Sequence, residues 1–222
     1  MTVQARDEIL GRLRSSAHGR VAARPPEPSL SEITLDREEM VSRFAAELGA
    51  QTGVTHRAAG DGDIERILAE IASAEGIRTV MASSYTLHPG LDLRRWGSLH
   101  GVVVTAREDY ETREAFRDAA FSADAGITSA DFAVAETGTL GIVFKKDQPR
   151  LVSIAPPVHV AIVPVENLYP IYETVIEKVF RHAGDIPSQF CFITGPSATA
   201  DIQAIPFKGM HGPSRVHVIL TG

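Results

Sequence analysis

The chain is poor in the residues that build covalent and metal-held frameworks. It has one cysteine, Cys191, among 222 residues. A single thiol excludes an intrachain disulfide, and it excludes an iron–sulfur cluster held by four thiolates of this chain. No apolar run approaches the roughly 18 residues that a membrane helix needs, so no membrane span is expected. The 22 basic residues are scattered and outnumbered by 28 acidic ones, for a formal net charge of −6. The basic stripe that marks nucleic-acid binding is missing. So are the phosphate loop G-x-x-x-x-G-K-[ST], the dinucleotide turn G-x-G-x-x-G, the zinc helix H-E-x-x-H and the nucleophile elbow G-x-S-x-G. The first eight residues lack the apolar core of a signal peptide, which makes the cytoplasm the expected compartment.

What is present suits a soluble globular domain: 44% hydrophobic and 23% charged residues, at a length that buries a core without staples. Val3, Ile9, Leu10 and Leu13 among charges predict an amphipathic helix over residues 3–14, followed by the stiff linker Arg24-Pro25-Pro26-Glu27-Pro28. Residues 1–28 therefore read as an arm and linker, and residues 29–222 as one α/β domain. Within that domain Asp36 and Glu39 form a capping box opening a helix to about Leu48, ended by Gly49. A short strand near Val54-Thr55-His56 comes next. Asp61 or Asp63 then caps a helix whose apolar face is Ile64, Ile67, Leu68 and Ile71.

Thr79–Ala82 and Val102–Thr105 read as buried strands. Residues 111–121 read as a helix. Two strand-like pieces between Ala133 and Lys145 break at Glu136–Gly138. A strand over His159–Val163 precedes a helix from Pro170 to Gly184, with Ile171, Val175, Ile176, Val179 and Phe180 on one face. Phe190–Thr194 and Val216–Leu220 are the last strands. Strands alternating with helices predict an open, mostly parallel sheet flanked by helices.

Three segments hold candidate chemistry. In Ala133-Val134-Ala135-Glu136-Thr137-Gly138-Thr139 an apolar strand runs into a carboxylate, two hydroxyls and a glycine. A carboxylate at the end of a buried strand must be paired, hydrated or functional, and the glycine lets backbone amides turn toward a ligand. A β-turn whose glutamate caps neighbouring amides is the alternative, and spacing alone slightly favours it. Thr194-Gly195-Pro196-Ser197-Ala198-Thr199-Ala200-Asp201 follows an apolar strand, and loops at the carboxyl ends of strands hold ligands in open α/β sheets. Ser197, Thr199 and backbone amides there suit a carboxylate or phosphate; helix capping explains the same residues. His211, fixed by Gly212-Pro213, is a candidate acid–base partner, with an ordinary surface histidine as the alternative. Eight histidines are dispersed; the nearest approach to a ligand pair, His211 and His217, has a turn between. No metal site is expected.

At these residues the sequence resembles the LUD-domain family. The resemblance rests on Gly126-Ile127-Thr128 leading into Ala130–Thr139, on Thr194-Gly195-Pro196-Ser197 with Thr199-Ala200-Asp201-Ile202, and on His211-Gly212-Pro213 with His217–Leu220. Gln203, where an acidic residue is expected, and Gly141, interrupting a strand, depart from it. The resemblance implies a fold like that of CoA transferases, ribose-5-phosphate isomerase and glucosamine-6-phosphate deaminase. It also implies a role in oxidising L-lactate to pyruvate beside cooperating proteins. Moving two electrons from lactate needs a carrier, because no side chain reversibly accepts a hydride. This chain has neither cluster ligands nor a nucleotide fingerprint and resembles the family member without clusters, so no cofactor is expected on it and iron–sulfur clusters are expected only in partner proteins.

The resulting site expectation has Glu136 as base or nucleophile and His211 as a weaker partner. Thr137, Gly138, Thr139, Gly195, Ser197, Thr199 and Asp201 hold a small anion. Two other functions fit the sequence: an independent CoA-transferase-like or isomerase-like enzyme that uses Glu136, and a non-catalytic assembly or regulatory module using the N-terminal helix. An oligomer is compatible with either.

Overall fold

The computed structural model of the chain describes residues 3–15, 34–84, 86–144, 149–180, 189–199 and 207–222. The chain divides into two units, Met1–Glu32 and Ile33–Gly222. The first contains α1 (Val3–Ser15), tied internally by an Arg12–Glu8 ion pair of 2.7 Å.

The second unit begins with α2 (Arg37–Ala50), β1 (Val54–Ala58), α3 (Asp61–Glu75), β2 (Thr79–Ala82), α4 (Leu93–His100) and β3 (Val103–Ala106). It continues with α5 (Arg113–Ser122), β4 (Ala125–Ser129), β5 (Phe132–Val134), β6 (Thr139–Val143), α6 (Leu151–Ile154) and β7 (Val158–Pro164). It closes with β8 (Leu168–Tyr169), α7 (Tyr172–Phe180), β9 (Phe190–Ile193), β10 (Ala198–Thr199), β11 (Phe207–Lys208) and β12 (Arg215–Thr221).

Six strands in the order β1-β12-β7-β4-β2-β3 form the main sheet, every neighbouring pair parallel. The expected open parallel sheet is therefore present. Beside it stands a four-stranded sheet, β8-β5-β6-β9, whose β5–β6 and β6–β9 pairs are antiparallel. β10 and β11 form a short hairpin-like pair.

The run Val-His-Val-Ala-Ile-Val in β7 is buried throughout because helices cover both faces. Val158, Val160 and Ile162 join Ile64, Leu68 and Trp96 in one core, while Ala161 and Val163 join Phe44 and Leu48 of α2 in another.

Local signals explain most element ends. Asp36 accepts from Glu39 N at 2.9 Å and the Glu39 carboxylate accepts from Asp36 N at 2.9 Å, closing the capping box at α2. That helix runs through Gly49 to Ala50, with Gln51 as its C-cap. At α3 the N-cap is Gly60, without a side-chain cap; Asp63 instead accepts from Ala59 N at 3.0 Å. Ile176, expected on the buried face of α7, is 38% exposed, whereas Val175 beside it is buried at 1%. Gly184 lies outside the described residues.

Several elements had no clear sequence signal, α4 and β4 among them. In α4, Asp92 caps the amides of Arg94 and Arg95, and buried Trp96 donates its indole N–H to Glu65 O at 3.0 Å. β4 carries Gly126 directly beneath α6, where a Cβ would fall 1.8 Å from Val152 O. Among the described residues no helix is long and apolar enough to cross a membrane.

Candidate functional site

β5 and β6 pair in a register that sets Val134 opposite Thr139, so Ala135-Glu136-Thr137-Gly138 forms the turn between them. Ala135 N donates to Tyr169 O at 2.8 Å and Glu136 N to Pro170 O at 3.0 Å, which pins the turn to the end of β8 and the proline after it. Gly138 takes φ +61°, and a Cβ there would lie 2.3 Å from Leu48 N. Glu136 is half-buried. Among the described residues no hydrogen-bond partner reaches its carboxylate.

Thr139, fully buried, is the hub of the site. Its Oγ1 lies 2.8 Å from Thr137 Oγ1 and 3.0 Å from Thr194 Oγ1, and it accepts from the Tyr172 hydroxyl at 2.9 Å. One proton and two lone pairs are a hydroxyl's full capacity, so three neighbours saturate Thr139 and fix the orientation of the group. Thr194 arrives there because β9 pairs with β6, Ile193 opposite Leu140. Tyr172 opens α7 and stands edge-on to Phe192, with ring centroids 4.8 Å apart. Half-buried Thr137 and exposed Thr194 form the outward side of the cluster.

The second loop leaves the cluster along the end of α2. Gly195 takes φ +151°, where a Cβ would lie 2.8 Å from Gln51 Cβ. Gly138 and Gly195 thus both rest on the last turn of α2. Ser197 then turns away: its N–H donates to Pro213 O at 2.8 Å and its carbonyl accepts from Gly209 N at 2.9 Å. Thr199 pairs with Phe207 and Ala198 with Lys208. Lys208 Nζ donates to Thr52 Oγ1 at 2.5 Å. That bond brings a cation beside the loop, close to a threonine held at φ +68°. Asp201 and Gln203 lie outside the described residues. His211 is exposed in the turn before β12.

The structure therefore gathers Thr137, Gly138, Thr139 and Gly195, with Glu136 in the same turn, and carries Ser197 and Thr199 away from the hub. The loop does follow the carboxyl end of a strand, but that strand is β9 in the smaller sheet. Ser197 meets Pro213, and Ser214 N donates to Pro157 O at 2.9 Å; these prolines precede β12 and β7. The Ser197 end of the loop thus adjoins the amino ends of β12 and β7, not the carboxyl ends of the parallel strands. The carboxyl-end rule holds for loops leaving the parallel sheet itself, and β9 belongs to the antiparallel one.

Sequence reasoning passed over Tyr172, Thr194 and Lys208 as site residues. Tyr172 had one visible signal, a hydroxyl at a helix start. Lys208 had none, because only the β10–β11 pairing places it.

Other titratable groups are buried away from this cluster. His159 is fully buried with Nε2 2.9 Å from Thr128 Oγ1, and burial lowers its pKa to about 4. His217 meets His56 at 3.2 Å and Glu75 at 3.3 Å. Burial lowers both imidazole pKa values, with Glu75 opposing the shift at His217. Burial also raises the Cys191 thiol, opposed by Arg150.

A family model described as the LUD domain matches residues 41–221. Lactate utilization protein C of Oceanobacillus iheyensis is 39% identical over 101 residues, covering 44% of this chain and 43% of that protein. Lactate utilization protein C of Bacillus subtilis is 36% identical over 101 residues, covering 44% of this chain and 42% of that protein. The chain thus spans less than half the length of either relative. The crystal structure of a DUF162 family protein from Deinococcus radiodurans superposes with a TM-score of 0.64 at 20% identity, over 85% of this chain and 100% of that one.

Proposed function

This chain belongs to the LUD domain family, and from that membership we propose that it serves lactate utilization as a component with no redox centre of its own. Moving two electrons from L-lactate to give pyruvate needs a carrier, and one cysteine cannot supply the thiolates of a cluster. The electrons therefore pass to separate iron–sulfur proteins that work with this chain. The names of the relatives from Oceanobacillus and Bacillus support the pathway.

The same reading makes the Thr139 cluster a small-carboxylate site. The observation that carries it is the saturated Thr139 hydroxyl, which holds Thr137 and Thr194 in place beside the half-buried Glu136. Thr137, Thr194 and the loop from Gly195 supply polar contacts, and Lys208 supplies the nearby positive charge. Glu136 is the base of this site.

Growth on L-lactate tests both levels, in a host deleted for its own version of the chain. Wild type restores growth and Glu136→Ala does not, although the variant accumulates to the same level. Undiminished growth of the deleted host removes the pathway role. Full rescue by Glu136→Ala removes Glu136 from the chemistry.

A further inference from the structure

Away from the Thr139 cluster, a cavity of about 590 Å³ opens between the carboxyl end of β3, the first turns of α5 and the entry to α6. Four arginines, Arg107, Arg113, Arg117 and Arg150, line it, with one acidic residue, Glu114. Phe116, Pro149 and Leu151 give it an apolar floor. The Phe116 ring is anchored in the core at 5% exposure.

Arg107 is held in place. It donates to Tyr110 O at 2.5 Å and its guanidinium carbon lies 5.5 Å from the Phe116 ring centroid. Arg117 is paired with Asp118 at 2.8 Å, outside the cavity lining. Arg113 and Arg150 have no carboxylate partner among the described residues. The positive end of α5, whose Thr112 cap accepts from Ala115 N, adds to the same field.

Scattered surface arginines are ordinary, but these four converge from three segments on one concavity. Like charges gathered this way repel, and the Glu114 carboxylate with the Arg117–Asp118 pair offsets only part of that repulsion. Planar guanidiniums in a group match the paired oxygens of phosphates and carboxylates. The volume lies in the range of small-molecule sites. Nothing in the lactate-utilization reading uses this cavity.

We propose that this cavity binds a small polyanion, a ligand with two or more phosphate or carboxylate groups. The full-length chain is titrated calorimetrically with pyrophosphate, ADP and citrate at low salt. At least one binds with one site per chain and a Kd below about 1 mM. Pyrophosphate against citrate separates phosphate from carboxylate recognition, and ADP above pyrophosphate brings in the apolar floor. Arg113→Ala with Arg150→Ala, both exposed positions, weakens binding about tenfold or more. Arg95→Ala, exposed and outside the lining, leaves it within about twofold. Thr139→Val also leaves it unchanged, which separates this cavity from the cluster above. The proposal is overturned by no saturable binding of any probe, by binding that survives the double substitution, or by equal loss in Arg95→Ala or Thr139→Val.

Discussion

Gly138 lies against the backbone of Leu48 so closely that a Cβ at residue 138 would sit 2.3 Å from the Leu48 amide nitrogen. The β5–β6 turn and the last turn of α2 are thereby locked together at a position that has no room for a side chain.

Gly138→Ala pays twice, once for the left-handed φ of +61° and once for pushing the turn off α2. The first cost is about 1–2 kcal/mol, and overpacking against backbone adds about 1–3 kcal/mol. Urea unfolding should show a loss of about 3 kcal/mol. Gly62→Ala is the control, because nothing lies within 4 Å of its Cβ in α3 and helix propensity favours alanine by about 0.5–1 kcal/mol. A Gly138→Ala protein as stable as wild type would contradict the packing described.

Thr139→Val keeps the shape and removes the hub. Three hydroxyls lose their common partner; exposed Thr194 recovers the bond from water, whereas half-buried Thr137 and Tyr172 recover it only in part, against about 1–3 kcal/mol for a fully stranded polar group. Thr194→Val changes an exposed residue and should stay within about 0.5 kcal/mol. Equal effects of the two substitutions on the urea midpoint would remove Thr139 from the centre of the cluster.

His159 makes the fold sensitive to acid. Its folded-state pKa of about 4 lies below the ordinary 6.5, so between these values the unfolded chain takes a proton that the folded chain refuses. Stability is whole above pH 6.5 and falls as pH drops toward 4, by about 3 kcal/mol from this residue. His56 and His217, also lowered by burial, act in the same direction. Urea midpoints of wild type and His159→Gln, taken at pH 7 and pH 5, should differ more at pH 7 than at pH 5. Parallel declines in the two proteins would show that His159 is not the source.

Periodicity and capping made much of this fold legible. Asp36 with Glu39 announced α2, the spacing of Ile64, Leu68 and Ile71 announced α3, and the break at Glu136–Gly138 announced the turn between β5 and β6. Features that depend on close backbone approach stayed hidden. Gly97 interrupts the eight residues of α4, yet a Cβ there would lie 2.5 Å from Val102 O. Gly141, an apparent flaw in β6, sits under the Phe132 ring, 1.8 Å from a would-be Cβ. The candidate site was half visible for a related reason. Glu136 to Thr139 are consecutive, whereas Thr139 and Thr194 meet across 55 positions through a strand register that no local pattern encodes.

Thr52 occupies the left-handed region at φ +68°, a conformation that a β-branched residue adopts at a cost of about 1–3 kcal/mol. It does so in the turn that joins α2 to β1, where its hydroxyl accepts from Lys208 Nζ at 2.5 Å. Asparagine tolerates this φ and keeps an oxygen for the lysine. Thr52→Asn should therefore raise stability by about 0.5–1 kcal/mol while keeping Lys208 beside the Gly195 loop. Thr52→Val keeps the strain and discards the acceptor, so it should be the less stable of the two in urea. If valine equals asparagine, the turn is held by its neighbours on α2 and the Lys208 contact contributes nothing to it.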